Sequence, residues 1–553
     1  MASFKDKVIY QLYPKSFKDS NGDGIGDIRG IIEKIPYLKE LGVDMVWLNP
    51  FYISPQKDNG YDITDYMSID PMFGTMEDFE ELVAVAKEAG IDFMLDMVFN
   101  HTSITHEWFQ QALAGDKKYQ DYYIIRDAKE DGSLPTNWES KFGGEAWAPF
   151  GDTGRYYLHL YDVTQADLDW RNPNLREELA KVVNFWLEKG VKGFRFDVLN
   201  VIGKDPILVD STGGPQQEKS LYTDKPIVHD YIQMINRASF GAQKDIITVG
   251  EMSSTTVDSG VKYTNPDRDE LSMIFSFHHL KVDYKDGEKW SKMPFDFIEL
   301  KRILNEWQTG MSDGDGWNAL FWNNHDQPRA NSRFGDPENY PFESASMMAQ
   351  TIHMLRGTPY IYQGEEIGMT NPNFDDIDAY VDIETHNAYK LLREQGVDHD
   401  TAMSYIKDKS RDNSRTPMQW DDSTHAGFTT GQPWLAVADN YPTINVEQEL
   451  AHGKLFSYYQ ELIKARKAYP IISEGTYRGI QLDHPSIYAY ARELDGKTLL
   501  VLNHFYDGAA EIDVTDEGFD WSKAQVILGN YDGFVVGDQM TLRPYETVAV
   551  LIG

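Results

Sequence analysis

Four short segments place carboxylates where apolar, strand-like runs come to an end. They are Asp96-Met97-Val98-Phe99-Asn100-His101, Gly193-Phe194-Arg195-Phe196-Asp197, Val249-Gly250-Glu251 and Asn323-Asn324-His325-Asp326. Any one of these acids alone reads as a helix cap or an ion-pair member. In order, and with an arginine and two histidines among them, they are hard to explain that way. Such a set supplies what nucleophilic attack and proton transfer require. Alternation along a strand sends Arg195 and Asp197 to the same side, so the guanidinium can keep that carboxylate ionised. Glu251, beside negative neighbours, is expected to hold its proton.

Two further clusters invite ligands. In Asp19-Ser20-Asn21-Gly22-Asp23-Gly24-Ile25-Gly26-Asp27, oxygen-bearing side chains recur at alternate positions and glycines permit a tight wrap, which is the rhythm of a calcium loop. The twelfth position is Gly30 rather than the glutamate of an EF-hand, and a turn laced with side-chain hydrogen bonds is the alternative. An ion here would be structural, since the acids above need no metal. Farther along, His278, His279, Lys281, Lys285 and Lys289 fall within 12 residues. They make either a solvated basic loop or a contact for an anion.

Positioning strand-end acids at one mouth calls for parallel βα units. Strand-like runs at 8–13, 44–48, 92–98, 193–198, 246–251, 273–277, 318–323 and 359–362 alternate with helical periodicity, as at 27–41, 77–89 and 175–188. This predicts a (β/α)8 TIM barrel made of residues 1–102 and 172–472. A Gly-, Trp- and Tyr-rich excursion at 103–171, after the third strand, forms a small inserted domain. From 473 to 553 the helical period vanishes, and strands at 498–505, 524–528 and 547–552 predict a C-terminal antiparallel β-sandwich.

The 553 residues exceed what one core organises, so a large domain with smaller additions is expected. Lys plus Arg total 52 against 88 Asp plus Glu, and the net charge of -36 repels nucleic acid and anionic membranes. With no cysteine, disulfides and thiolate metal sites are excluded. Met1-Ala2-Ser3-Phe4-Lys5-Asp6 leads straight into a strand without an apolar signal core, so a cytoplasmic location is expected. Aromatics, with 13 Trp and 32 Tyr, exceed what a core alone usually asks for and suit faces on which sugar rings stack, while buried structural roles are the commoner explanation for most of them.

The four acidic segments match, in order and at suitable separations, the conserved regions of glycoside hydrolase family 13, the α-amylase superfamily. The resemblance extends over essentially the whole chain. It implies Asp197 as nucleophile, Glu251 as general acid/base and Asp326 as the carboxylate that holds the sugar's hydroxyls. It also implies Asp62, in Gly60-Tyr61-Asp62, with His101, Arg195, His325 and Arg411, as glucose-binding residues; Arg415, four residues on, rivals Arg411. Structural Ca2+ at Asp19, Asn21, Asp23 and Asp27, completed by the Ile25 carbonyl, follows from the same likeness. A retaining mechanism would set the Asp197 and Glu251 carboxyl oxygens roughly 5 to 5.5 Å apart. Non-catalytic proteins of this fold lack the carboxylates, whereas all three acids stand here.

Within the family, Gln165-Ala166-Asp167-Leu168-Asp169 resembles the signature of the oligo-1,6-glucosidase branch. Val198, directly after the nucleophile, is similar to relatives acting on α-1,6 bonds and on trehalose 6-phosphate. Phe275-Ser276-Phe277-His278-His279-Leu280-Lys281-Val282-Asp283-Tyr284 resembles the hydrolases of phosphorylated trehalose. The resemblance implies hydrolysis of α,α-trehalose 6-phosphate to glucose and glucose 6-phosphate, with oligo-1,6-glucosidase (isomaltase or dextran glucosidase type) as the alternative. The phosphate contacts expected are Lys281 first and Lys289 second, with His278 beside them.

Overall fold

Eight parallel strands are built from the apolar runs: β1 (Ile9–Leu12), β2 (Met45–Leu48), β3 (Asp92–Met97), β4 (Gly193–Phe196), β5 (Ile247–Glu251), β6 (Met273–Phe275), β7 (Ala319–Leu320) and β8 (Thr358–Tyr362). The computed structural model describes residues 4–553, so Met1-Ala2-Ser3 lie outside the described residues. The sheet runs β6-β5-β4-β3-β2-β1-β8-β7, each strand beside its sequence neighbour. A single parallel bridge between Ile274 and Asn318 joins β6 to β7 and closes the barrel. Nearly every strand residue is buried, as expected of a parallel sheet wrapped by helices.

The helices start where their caps dictate. α1 (Ile28–Leu41) is capped by the Asp27 side chain, and α2 (Met76–Glu88) opens on a capping box of Thr75 and Asp78, a device worth about 1 kcal/mol. α3 (Pro173–Glu188) begins with Pro173 behind the Asn172 cap. These bounds lie within two residues of the periodicity.

Strand β7 is the exception. The expected run 318–323 pairs only over Ala319–Leu320, and Asn323, Asn324, His325 and Asp326 leave the ladder as loop. A polar run of four cannot continue an apolar strand, and leaving the sheet frees those side chains for the mouth. The same happens after β4, where Val198 takes φ 37 and ψ 43. A β-branched residue in that left-handed region costs about 1–3 kcal/mol, a strain that clusters at functional sites.

Between β3 and β4 the excursion is clasped at its base by an antiparallel ladder of His101–Ser103 with Gln165–Asp167. Within it lies a three-stranded sheet of Ile125–Asp127, Arg155–Leu158 and Trp147–Pro149. After the helix Pro470–Glu474, a five-stranded antiparallel sheet and the pair Ala510–Asp513 with Gln539–Leu542 face each other across Ile480, Ile487, Leu500, Ile512, Met540, Leu542 and Val548. That is the C-terminal sandwich. Four of its strands, Thr476–Ile480, Ile487–Leu494, Ala510–Asp513 and Gln539–Leu542, were not expected from the sequence. Among the described residues no helix is long and apolar enough to cross a membrane.

Candidate active site

The β3–β4 register sets Asp96 directly opposite Arg195, so the ladder itself delivers a carboxylate to a guanidinium inside the barrel. Arg195 is almost fully buried. Its Nη1 donates to Asp96 Oδ1 and to Asp197 Oδ1, both at 2.7 Å, while Nη2 donates to Glu251 Oε2. The guanidinium carbon lies 4.9 Å from the Trp47 ring centroid. Asp96 is itself locked by Trp47 Nε1 at 3.2 Å and the Tyr61 hydroxyl at 2.8 Å. Sequence reasoning quoted Asp96 but gave it no part; its signal is an acid one ladder rung from the arginine.

Arg195 thus gathers Asp197 and Glu251 on one guanidinium, through Nη1 and Nη2 respectively. A hydrogen bond between the two carboxyls raises Glu251 and lowers Asp197. Burial, then the Asp197 charge, pushes the Glu251 carboxyl up to about 8 against the pull of Arg195. Burial also raises Asp197, but Arg195 and the hydrogen bond from Glu251 pull it back. The proton therefore resides on Glu251. The strained turn at Val198 adds a backbone N–H 3.2 Å from Glu251 Oε2.

Asp326 is the most open of the acids, 28% exposed against 10% for Asp197 and Glu251. Burial would raise its carboxyl, yet His325 and three arginines hold it well below the ordinary range. Burial also lowers His325, to about 3, so at neutral pH this ring is uncharged and the arginines do the holding. Gln11 Nε2 sits 2.9 Å from His325 Nδ1 while donating to Asn49 Oδ1 at 3.0 Å. That leaves the His325 proton on Nε2, 3.1 Å from Asp326 Oδ2. The ring stacks on Tyr61 at 5.1 Å and 6°. Gln11, on β1, carried no sequence signal.

Both candidate arginines reach this acid. Arg415 Nη2 lies 2.8 Å from Asp326 Oδ1 and Arg411 Nη1 3.4 Å from the same atom. Arg411 also binds Asp382 Oδ1 at 2.6 Å and Asp58 Oδ1 at 3.0 Å, and lies over the Phe142 ring of the inserted segment. His101 Nε2 is 3.1 Å from the Tyr61 carbonyl, and burial lowers the ring to about 4, so it too is neutral.

Asp62 is a correction. Its oxygens are spent on its own loop, accepting from the N–H groups of Lys57 and Asp58 at 2.9 and 3.0 Å and from Ser54 Oγ at 3.1 Å. The carboxylate of this loop that faces the arginines is Asp58, which also accepts from Gln165 Nε2 at 3.0 Å. Left-handed conformations at Gln56, Asn59 and Gly60 fold the loop tightly enough to exchange the two acids' places.

Of the basic group, Lys281 is exposed yet set in a concavity with Thr255, His278 and Trp307; desolvation there, then the nearby Lys219, draws its amine down to about 8. Lys289 is corrected: Glu384, carried by the helix Ile383–Glu394, holds its amine at 2.7 and 2.9 Å. His278 is corrected likewise, with Nε2 spent on the Thr255 carbonyl at 2.7 Å and its ring stacked on Trp307. His279 is buried and tied to the Phe321 carbonyl.

The candidate calcium loop is closed by its own hydrogen bonds. Asp19 accepts from the N–H groups of Asn21, Gly22 and Gly24 and from Thr429 Oγ1; Asn21 accepts from Asp23, and Asp23 from Ile25. Asp27 caps α1 and accepts from Ser20. Among the described residues no group of three acidic or histidine side chains converges as a metal cage. An ion would have to take over oxygens that now bind N–H groups.

This geometry has known counterparts. A profile of the α-amylase catalytic domain matches residues 11–475. The chain belongs to the α-amylase family. Family membership makes it a glycoside hydrolase. It is 53% identical to trehalose-6-phosphate hydrolase of Bacillus subtilis over 548 residues, covering 99% of this chain and 97% of that one. It is 47% identical to oligo-1,6-glucosidase of Halalkalibacterium halodurans over 551 residues, covering 98% of each. The crystal structure of Bacillus licheniformis trehalose-6-phosphate hydrolase superposes with a TM-score of 0.95 at 51% identity, covering 100% of both chains.

Exchanging the two loop acids separates their duties. Asp58→Asn is expected to lower kcat/KM on p-nitrophenyl α-glucoside roughly ten- to hundredfold, as for a lost hydrogen bond to a charged group. Asp62→Asn is expected to act chiefly on the melting temperature, because it loosens the loop. A larger kinetic loss from Asp62→Asn than from Asp58→Asn would restore Asp62 to the pocket.

Proposed function

We propose that the chain hydrolyses α,α-trehalose 6-phosphate to glucose and glucose 6-phosphate, with retention, through a covalent glucosyl-enzyme. The observation that carries the chemistry is the pair of carboxyls on Arg195 with one proton between them. Asp197, the ionised member, attacks the anomeric carbon; Glu251, the protonated one, gives its proton to the leaving oxygen. Once the leaving sugar departs, Glu251 is a carboxylate and takes a proton from the water that releases glucose from Asp197. Asp326, kept charged by Arg411 and Arg415, accepts hydroxyl hydrogen bonds, and neutral His325 and His101 bind hydroxyls without adding charge.

The substrate reading rests on the full-length likeness to trehalose-6-phosphate hydrolase and on Lys281 at the mouth. Asp58, Asp197 and Asp326 would repel a dianion, so the plain glucose enters first and the phosphate lies outward. Long-range attraction cannot hold it against a net charge of -36; charged hydrogen bonds must. A phosphorylated sugar is too polar to leak through a bilayer, which suits a cytoplasmic setting. Oligo-1,6-glucosidase is the second reading, favoured by the comparable likeness to that enzyme. Hydrolysis of trehalose 6-phosphate, trehalose and isomaltose under identical conditions decides between them.

NMR of the first product should show α-glucose, and β-glucose would sink the retaining assignment. Asp197→Ala should abolish turnover with the fold intact. Because Glu251 must be protonated, kcat/KM should fall as pH rises through about 8. Because Asp197 must be ionised, it should also fall on the acid side, above the ordinary carboxylate range. A rate that stays flat to pH 10 would mean that Glu251 is not the acid. Lys281→Ala should lower kcat/KM on trehalose 6-phosphate roughly ten- to hundredfold relative to p-nitrophenyl α-glucoside.

We also propose that Asp19, Asn21, Asp23 and Asp27, with the Ile25 carbonyl, hold Ca2+, which would brace the loop and take no part in the chemistry. Restoring Ca2+ to chelator-treated protein should raise its melting temperature; an unchanged transition would return the loop to a turn that is complete by itself.

A further inference from the structure

We infer that Lys141 of the inserted segment and Lys219 of the helix Pro215–Ser220 join Lys281 in gripping the phosphate of the leaving sugar, an inference that rests on the substrate reading above. Three elements far apart in sequence bring these amines together beyond the end of β5. Lys141 Nζ donates to Ser253 Oγ at 3.1 Å, and Ser253 stands two residues after Glu251. The Thr255 carbonyl, two residues further, anchors His278 and thereby the turn that carries Lys281. Tyr222, three residues after Lys219, lies with its ring centroid 5.6 Å from the Lys141 amine and packs at a tilt against Trp138 of the inserted segment, while the Tyr161 centroid lies 5.5 Å from the same amine. The Lys141 amine thus sits beside the segment that follows Glu251, near two rings.

Of the three other buried lysines among the described residues, Lys204 and Lys409 are paired with carboxylates and Lys301 donates to the His484 and Ile487 carbonyls. Lys204 meets Asp167 at 2.7 Å, Lys289 meets Glu384, and Lys409 meets Asp283. Among the described residues no carboxylate lies within ion-pairing distance of Lys141, Lys219 or Lys281. Glu218, which feels Lys141 and Lys219, accepts from the Glu139 N–H at 3.2 Å, and Glu251 acts on Lys141 from beyond pairing distance. Burial and then mutual repulsion lower the Lys141 amine to about 7, with Lys219 and Lys281 both contributing. Aromatic faces attract a cation but bring no charge to cancel it. Cations held together without a counter-ion, in a protein this acidic, complement an incoming dianion. A phosphate oxygen cluster meets that need with charge-assisted hydrogen bonds.

The test compares Lys141→Ala and Lys219→Ala with the parent enzyme on trehalose 6-phosphate and on p-nitrophenyl α-glucoside. The ratio of the two kcat/KM values is expected to fall roughly ten- to hundredfold for each variant. Product inhibition by glucose 6-phosphate should weaken relative to inhibition by glucose. Equal losses on both substrates would assign Lys141 to bracing Ser253 and the end of β5, and an unchanged ratio would remove both lysines from the subsite; either overturns the inference. Lys219, on a different element, keeps the test open should Lys141→Ala fold poorly. A parent enzyme that does not prefer trehalose 6-phosphate would instead overturn the substrate reading itself.

Discussion

A single buried guanidinium imposes the electrostatics of this barrel. Arg195 brings one positive charge to Asp96, Asp197 and Glu251, and their burial keeps bulk solvent from sharing the load. Two ionised carboxylates already overcompensate it, so the third must keep its proton. Which one keeps it follows from placement: Asp96 is fixed by an indole and a phenol as well as the arginine, Asp197 gains the hydrogen bond from Glu251, and Glu251 is left as donor. The acid of the reaction is thus chosen by charge counting before any sugar arrives.

The same arithmetic recurs a few ångströms outward, where Arg411 and Arg415 serve Asp58, Asp326 and Asp382. Here two guanidiniums face three carboxylates: Asp326 and Asp382 are held well below the ordinary range, while burial pushes Asp58 up to about 6. The site is therefore graded, from proton-bearing at its floor to anionic at its wall. That grading matches a reaction that needs a proton on one side of the anomeric carbon and fixed negative charge around it.

The barrel strands and the four acidic ends were legible because a strand fixes its residues locally, and period and order suffice to find them. What was not legible depends on long-range approach. Arg411 and Asp58 are 353 residues apart, so no spacing rule could prefer Asp58 over Asp62, four positions along the same loop. Lys289 looked available until the helix bearing Glu384 came to rest on it. Gln11, which settles where the His325 proton sits, is an unremarked polar residue in an apolar strand. Three of the missed sandwich strands are only four or five residues long, too short for their alternation to register, while Ile487–Leu494 is buried on both faces, which blurs it.

The closure of the barrel deserves a mechanical reading. Strands β6 and β7 meet through one bridge, Ile274 with Asn318, while every other neighbouring pair shares at least two rungs. This seam is the weakest line of the wall, and the segment bearing Lys281 and the loop bearing His325 and Asp326 hang from its two sides. Local opening would begin there, and its amides would trade hydrogen for deuterium ahead of those between β2 and β5. The barrel can loosen at the mouth without breaking the ladder that keeps Asp96 opposite Arg195.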